Sequence, residues 1–284
     1  PPMQPPSYGT LQYWNTRFTK TPTPFEWLQD ASSLDPYLHA ALCSTTTQAK
    51  PHPNLLHIGC GTSLLSHHLR THVHSPPQIH NIDYSPVAIQ LGKQREHDIY
   101  TDQHAADTPA SSTMRWSAVD LLNFDAVLRV CNPNSYSVIV DKSTTDAIAC
   151  SDDIPVSFPY PLTTRHPHTP LDPPPSTKTH SVNPTLLMAL HLALVAKEGA
   201  QWISLSYASE RFSFLDGAAD GVGERVGDVF ADVGLLWEVR DRWAVEDGGG
   251  ESGRDGVTHR AKVSNWVYVL RRTGVPVFVR GRRG

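Results

Sequence analysis

Two glycines and three aspartates stand where short apolar segments of the chain end. Gly59 and Gly61 follow the first segment, and Asp83, Asp120 and Asp141 follow the next three. Glycine accepts a positive φ and lets a ligand approach the backbone closely. A carboxylate at the second position can accept hydrogen bonds from both hydroxyls of a ribose, and one at the third can read an adenine amino group. The pattern therefore predicts a site for an adenosine-containing ligand.

Each of these residues also has a simpler interpretation. Asp83 can cap the helix that begins near Pro86, and Asp120 can be a turn residue. The glycine pair alone is a weak signal, because a dinucleotide fingerprint reads G-x-G-x-x-G and Leu64 stands at the third glycine position. We therefore do not favour NAD or FAD as the ligand. The glycine turn and the three aspartates together indicate a ligand site more specifically than any one of them, because all of them fall at predicted strand ends.

Alternating strands and helices place these residues at one edge of a sheet. The sequence predicts five parallel strands at about 54–58, 78–82, 114–119, 136–140 and 201–207, with helices at about 63–73, 86–95 and 184–197. Strands at about 235–244 and 264–270 are expected to pair antiparallel. The predicted fold is a Rossmann-like α/β domain, with a seven-stranded, mostly parallel sheet, helices on both faces and an antiparallel final strand.

The remaining segments are expected to flank or interrupt this domain. We expect residues 1–30 to form an aromatic lid segment and residues 31–284 to form a single domain. Residues 151–181 contain eight prolines and no periodicity, which predicts a long irregular insertion. Residues 97–112 are expected to be a loop, and residues 217–234 a glycine-rich helical stretch.

Composition excludes several classes of protein. The chain has 284 residues and a formal net charge of −4, which gives no reason to expect nucleic acid or a membrane as a partner. No apolar run reaches the ~18 residues of a transmembrane helix, and the first residues do not resemble a signal peptide. The four cysteines lack paired spacing, which favours a reducing compartment such as the cytoplasm.

Four histidines cluster after the glycine turn. His67, His68, His72 and His74 lie close in sequence, and His68 and His72 share a helix face at i, i+4. Such spacing can bind zinc. No cysteine or carboxylate completes an obvious ligand set in the sequence, so we expect solvated helix-face histidines and no metal site.

The chain resembles class I S-adenosylmethionine-dependent methyltransferases in the order of a G-x-G turn, an aspartate after the second strand and an aspartate after the third. More narrowly, it is similar to the methyltransferase-like 13 group, which includes lysine methyltransferases of the elongation factor that delivers aminoacyl-tRNA. The narrower resemblance covers roughly residues 10–148. It is carried by Tyr13-Trp14, Phe25-Glu26-Trp27, His57–Ser66, Asn81–Ser85 and Asp141–Ala147.

The resemblance implies S-adenosylmethionine as the cofactor and gives the strand-end residues roles toward it. Asp83 would take the ribose and Tyr84 would pack on the adenine, whose edge Asp120 and the Leu121 backbone would hold. The methionine part would be contacted by Gly59, Gly61 and Lys142. Lid positions are matched by Trp14, Phe18 and Trp27. Arg17 could pair with the cofactor's carboxylate, as charge complementarity suggests.

Three departures from the group's pattern concern the site. His57 stands where the wider fold often has an acid and this group an apolar residue, and Ser143 replaces a glycine in the motif Asp-Lys-Gly-Thr. The insertion at 151–181 falls where substrate-facing elements usually follow the fourth strand. The first two departures leave cofactor binding intact, whereas the third leaves the substrate open.

The methyl acceptor stays open between two enzyme classes and one non-enzyme class. The resemblance favours a protein lysine, and a small molecule covered by the proline-rich insertion is the alternative. A fold-retaining interaction module without activity is the third hypothesis, which the polar strand ends argue against. Carbonyl or carboxylate groups near the fourth strand could orient an amine, and the candidates by position are Asp141, Asp146 and Tyr207.

Overall fold

The computed structural model describes residues 6–45, 52–101, 113–164, 178–215, 230–246 and 264–280. Its strands are β1 Leu55–Ile58, β2 Ile79–Asp83, β3 Arg115–Ala118, β4 Tyr136–Lys142, β5 Ile154–Phe158, β6 Leu162–Thr163, β7 Lys178–Val182, β8 Ala196–Ser206, β9 Trp237–Glu246, β10 Ser264–Arg272 and β11 Phe278–Val279. Its α-helices are α1 Leu11–Lys20, α2 Asp35–Thr45, α3 Leu65–Arg70, α4 Pro86–Thr101, α5 Phe124–Val130, α6 Thr144–Ile148 and α7 Pro184–Val195.

Seven of these strands form the main sheet in the order β3-β2-β1-β4-β8-β10-β9. The first five strands in this order pair parallel, and β10 runs antiparallel to both of its neighbours. Every residue of β1, β2 and β4 is buried, as expected for parallel strands that helices cover on both faces. The predicted fold class is therefore confirmed.

The sheet separates two apolar layers, because alternate residues of each strand point to opposite faces. Leu56 and Ile58 pack on the side of α7, where eleven of its twelve residues are buried. Leu55 packs on the other side, with Leu38 of α2 and Leu69 of α3. A helix that is apolar all round, such as α7, is stable only in such a covered position.

The predicted loop at 97–112 is wrong at its start, since α4 continues to Thr101. Its last turns are held by contacts distant in sequence. Glu96 accepts hydrogen bonds from Arg70, from the Met114 backbone and from the Trp116 indole. These partners keep a polar stretch helical that the sequence pattern alone assigns to a loop.

The irregular insertion predicted at 151–181 is wrong in part. β5 and β7 pair antiparallel, with Ile154 opposite Val182, and β6 pairs with β11. Val156 and Phe158 of β5 are buried against the apolar layer that contains α7. This burial stabilises the β5–β7 pair despite the prolines of the segment. Residues 165–177 lie outside the described residues, as does most of the helical stretch predicted at 217–234.

Among the ranges described above, none of the helices combines the length and apolar character that a membrane crossing requires. No disulfide links the four cysteines, all of which lie within those ranges.

Candidate cofactor site

A cavity of about 460 Å³ lies at the carboxyl ends of β1, β2 and β4, beneath the N-terminal segment. This volume falls in the range of small-molecule and cofactor sites. Its walls are largely apolar and aromatic, with a few polar groups from the strand ends. Ten of the eleven residues that the sequence assigns to a cofactor line it: Trp14, Phe18, Trp27, Gly59, Gly61, Asp83, Tyr84, Asp120, Leu121 and Lys142.

The glycine turn after β1 needs its glycines. Gly59 and Gly61 have φ values of +58° and +50°, which residues with a side chain rarely adopt. A Cβ on Gly59 would overlap the side chain of Thr144, whose hydroxyl donates to the Ile58 carbonyl at 3.0 Å. A Cβ on Gly61 would sit 3.4 Å from the Phe18 ring, an ordinary contact. The turn therefore packs its backbone against the first residue of α6 on one side and faces the cavity on the other.

Asp83 ties the glycine turn to the start of α4. Its Oδ2 accepts from the Gly61 N–H at 2.8 Å, and its Oδ1 accepts from the Ser85 N–H at 2.7 Å. Burial raises the pKa of this carboxyl to about 6. Each carboxylate oxygen can accept a second hydrogen bond, so Asp83 can hold the turn and a ligand hydroxyl at once.

The residues that the sequence analysis expects at the adenine gather after the carboxyl ends of β2 and β3. Tyr84 keeps 39% of its surface exposed and lines the cavity with Asp120. Asp120 accepts from the Leu122 N–H at 2.9 Å, and burial raises the pKa of its carboxyl. The Leu121 carbonyl accepts from His191 at 2.7 Å if the proton is on Nδ1, which anchors this wall to α7. A flat ring and a carboxylate acceptor thus line the same cavity.

The N-terminal segment forms an aromatic wall over the cavity. The rings of Trp14 and Phe18 stack at 5.6 Å between centroids, and Trp27 meets Trp14 edge-on at 6.2 Å. The structure does not place Arg17 in the cavity. Its guanidinium lies over the rings of Phe25 and Trp27, 4.5 and 5.3 Å from their centroids. A cation–π contact therefore replaces the carboxylate pairing expected for Arg17.

The sequence analysis named Glu26 within a motif but gave it no role, although it connects the N-terminal segment to the turn. Its carboxylate accepts from Lys142 Nζ, from Ser63 Oγ at 2.8 Å and from the Leu64 N–H at 2.6 Å. The Lys142 side chain is only 3% exposed and also donates to the Gln29 carbonyl at 3.0 Å. The signal available in the sequence was the position of Lys142 directly after a predicted buried strand, because a buried lysine requires a counter-charge.

Two departures noted in the sequence are explained by local geometry. His57 lines the cavity and shares its Nδ1 between Ser66 Oγ at 3.0 Å and Asn81 Oδ1 at 3.1 Å. Burial lowers the pKa of His57 to about 4, so it is neutral at pH 7. Ser143 has a φ of +65°, the left-handed conformation for which the resembling group has glycine.

The three residues that the sequence offers as candidates for catalysis have different environments in the structure. Asp141 does not line the cavity. It is fully buried and caps α6, accepting from the Thr144 N–H at 2.8 Å and from Ser204 Oγ at 2.9 Å. Burial raises the pKa of Asp141 to about 6. We therefore correct its expected role to a structural one, because its oxygens are committed to protein donors.

Asp146 and Tyr207 do line the cavity. Asp146 accepts from Ser206 Oγ at 2.5 Å, from the Tyr207 N–H at 3.1 Å and from Arg211 Nε at 2.8 Å. Its carboxylate is thus engaged in holding the loop after β8. Tyr207 is 53% exposed, and the Arg211 guanidinium lies 5.4 Å from its ring centroid. Of the three candidates, Tyr207 is the one whose side chain is accessible at the cavity.

The known proteins that are similar to this chain in sequence include methyltransferases, although no family model matches the chain. The chain is 35% identical over 153 residues to methyltransferase srdJ of Neurospora crassa, covering 54% of this chain and 58% of that protein. It is 28% identical over 163 residues to mouse EEF1A lysine methyltransferase 4, covering 54% of each. The matched part thus spans somewhat more than half the length of these relatives.

Solved structures agree on the fold. A SAM-dependent methyltransferase from Anabaena variabilis superimposes with a TM-score of 0.50 at 12% identity, covering 96% of each chain. At that identity the likeness concerns the fold alone. The chain therefore has the fold of S-adenosylmethionine-dependent methyltransferases, and its resemblance to them and to the elongation-factor lysine methyltransferases is confirmed over about half of its length.

Proposed function

We propose that this chain binds S-adenosylmethionine in the described cavity and transfers its methyl group to a lysine of a protein. The observation that carries the proposal is the joint placement of the glycine turn, Asp83 and the aromatic wall around one cavity of about 460 Å³. The relatives named as methyltransferases support the same reaction class.

The lining residues fit the chemical parts of this cofactor. The backbone at Gly59 and Gly61 admits its methionine part, and Asp83 offers a carboxylate to the ribose hydroxyls. Tyr84 and Asp120 offer a ring and an acceptor to the adenine. When bound, the cofactor supplies an activated methyl group on a sulfonium, so the protein's contribution is alignment and exclusion of water.

The N-terminal segment provides that exclusion of water. We propose that residues 1–30 act as a lid on a single domain over 31–284, with Trp14 and Phe18 covering the cofactor. Glu26 supports this role, because its bonds to Ser63 and Lys142 hold the lid against the turn and against β4. The lid is thus attached to the glycine turn and to the last residue of β4.

A lysine acceptor must arrive as the neutral amine, since only that form has a free lone pair. An apolar, aromatic environment lowers the pKa of an amine by disfavouring its charged form. Trp27 and Phe25 of the wall and the exposed Tyr207 ring offer such surroundings at the cavity. Asp146 acts as a positioning residue, because it binds the Tyr207 backbone rather than a substrate. We assign no dedicated general base.

The protein substrate that we propose is a translation elongation factor, which places the reaction in the cytoplasm. Support comes from relatives named as EEF1A lysine methyltransferases in mouse and cattle. A small-molecule acceptor is the second candidate. The relative from Neurospora crassa favours this candidate. It is 35% identical to this chain, and its name specifies no protein substrate.

The experiment that tests the proposal uses S-adenosylmethionine labelled in its methyl group. The protein is incubated with purified elongation factor 1A, with a cell lysate and with the small-molecule fraction of that lysate. Label in the elongation factor supports the proposal, and label confined to the small-molecule fraction supports the second candidate. Label in neither, with cofactor binding intact, indicates a non-catalytic interaction module.

A pair of matched variants connects the label to the site. Asp83→Ala removes an acid of the cavity and should abolish most of the labelling. Asp241→Ala removes an exposed acid on β9 and should leave the labelling unchanged. Equal labelling by both variants would show that the activity does not depend on the described cavity.

A further inference from the structure

A second group of potential ligands lies outside the cofactor cavity, between α2 and α3. Asp35 is the first residue of α2, His68 lies in α3, and His72 follows two residues after that helix ends. The sequence suggested that no carboxylate completes the histidine pair and that these histidines are solvated. The fold corrects this expectation, because it brings Asp35 to the same face from 33 residues upstream.

The three side chains converge through one atom each. Asp35 Oδ1 lies 2.5 Å from His68 Nε2 and 3.1 Å from His72 Nε2, and the two Nε2 atoms are 3.3 Å apart. In a tetrahedral zinc site, with bonds of about 2.0–2.1 Å, neighbouring ligand atoms are separated by about 3.3–3.4 Å. Two of the three separations are close to that value, and the third requires a movement of under about 1 Å.

The three side chains differ in their access to solvent. The His72 side chain is only 7% exposed. His68 and Asp35 are 26% and 33% exposed, which leaves a route for an ion. His39, one helical turn after Asp35, has its ring centroid 4.9 Å from that of His72. A third imidazole therefore lies beside the cluster.

We propose that Asp35, His68 and His72 form a site for a divalent cation of the zinc type, completed by water. Two imidazoles, one carboxylate and water form a ligand set that zinc accepts, and imidazole does not suit magnesium or calcium. The ion would join the helix after the lid segment to the helix after the glycine turn. Its role would be structural, because none of the three residues lines the cofactor cavity.

The test is a titration of the chelator-treated protein with Co²⁺, whose visible absorption reports coordination by protein ligands, followed by displacement with Zn²⁺. We expect one ion per chain. Zinc at one hundred times its Kd should raise the melting temperature by about 5 °C. The absence of both the absorption band and the thermal shift would overturn the proposal.

Variants distinguish this site from the chain's other histidines. His68→Gln should weaken Zn²⁺ binding by at least about 100-fold, since loss of a second-shell partner alone costs 10–100-fold. Asp35→Asn should weaken it in the same way. His74→Ala, which removes an exposed histidine outside the cluster, should leave it unchanged. Unchanged binding in both His68→Gln and Asp35→Asn would place the ion elsewhere and refute the assignment.

Discussion

Replacing Asp83 by asparagine should stabilise the ligand-free protein at pH 7 and weaken its cofactor binding. Burial raises the pKa of Asp83 from 3.8 to about 6. Keeping the carboxylate ionised in the folded state at pH 7 therefore costs about 3 kcal/mol. Asparagine removes that cost but accepts from only one of the Gly61 and Ser85 N–H groups, which loses about 1–2 kcal/mol. The net expectation is a gain of about 1–2 kcal/mol in the free energy of unfolding.

The sign of the pH dependence follows from the raised pKa. In the wild-type protein, the stability linked to Asp83 protonation is fully present below about pH 4 and is lost as the pH rises through about 6. The asparagine variant has no such dependence, so its advantage at pH 7.5 should turn into a deficit of about 1 kcal/mol near pH 4, where wild-type Asp83 is protonated. Asp141, whose pKa burial also raises to about 6, is common to both proteins and cancels in the difference.

Two assays measure the effects of Asp83→Asn. Urea unfolding at both pH values gives the stability difference, and titration calorimetry gives the affinity for S-adenosylmethionine. The affinity should fall by about 1–3 kcal/mol, roughly 5- to 150-fold, because a charged acceptor for the ribose is lost. Asp241→Asn, at an exposed position, should change neither quantity. An unchanged cofactor affinity in Asp83→Asn would refute the assigned role.

Three further predictions concern the cavity walls. Glu26→Gln should destabilise the protein by about 3 kcal/mol, because Lys142 stays buried without its counter-charge; adding Lys142→Met should restore stability in urea unfolding. Gly59→Ala should destabilise the fold by at least about 2 kcal/mol more than Gly61→Ala, since only the former overlaps a neighbour, and equal losses would contradict this. Wild-type cofactor affinity should fall about tenfold per pH unit below about pH 6, as Asp83 protonates, whereas a flat profile in calorimetry would exclude that linkage.

The sequence predicted the sheet and one edge of the site well, because both depend on local patterns. The strands β1, β2 and β4 are short apolar runs that are buried on both faces, and such runs are recognisable without knowing their partners. Once the strands are parallel, their carboxyl ends must share an edge. Asp83 and Asp120 were therefore placed in one cavity by topology alone.

Features that depend on distant partners could not be predicted in this way. Lys142 meets Glu26 across 116 positions of the chain, and Asp35 meets His68 across 33. The guanidinium of Arg17 lies over the rings of Phe25 and Trp27, which only the folding of the N-terminal segment brings next to it. The pairing of β5 with β7 likewise joins segments that a proline-rich stretch without hydrophobic periodicity separates in sequence.

Calorimetric titration of the wild-type protein with S-adenosylmethionine at pH 7.5 tests the central claim most directly. We expect saturable binding of one cofactor per chain, and competition by S-adenosylhomocysteine for the same site. The account would be contradicted if cofactor concentrations up to about millimolar gave no heat of binding and no protection against thermal unfolding. A Kd of about 1 mM corresponds to a binding free energy of only about 4 kcal/mol.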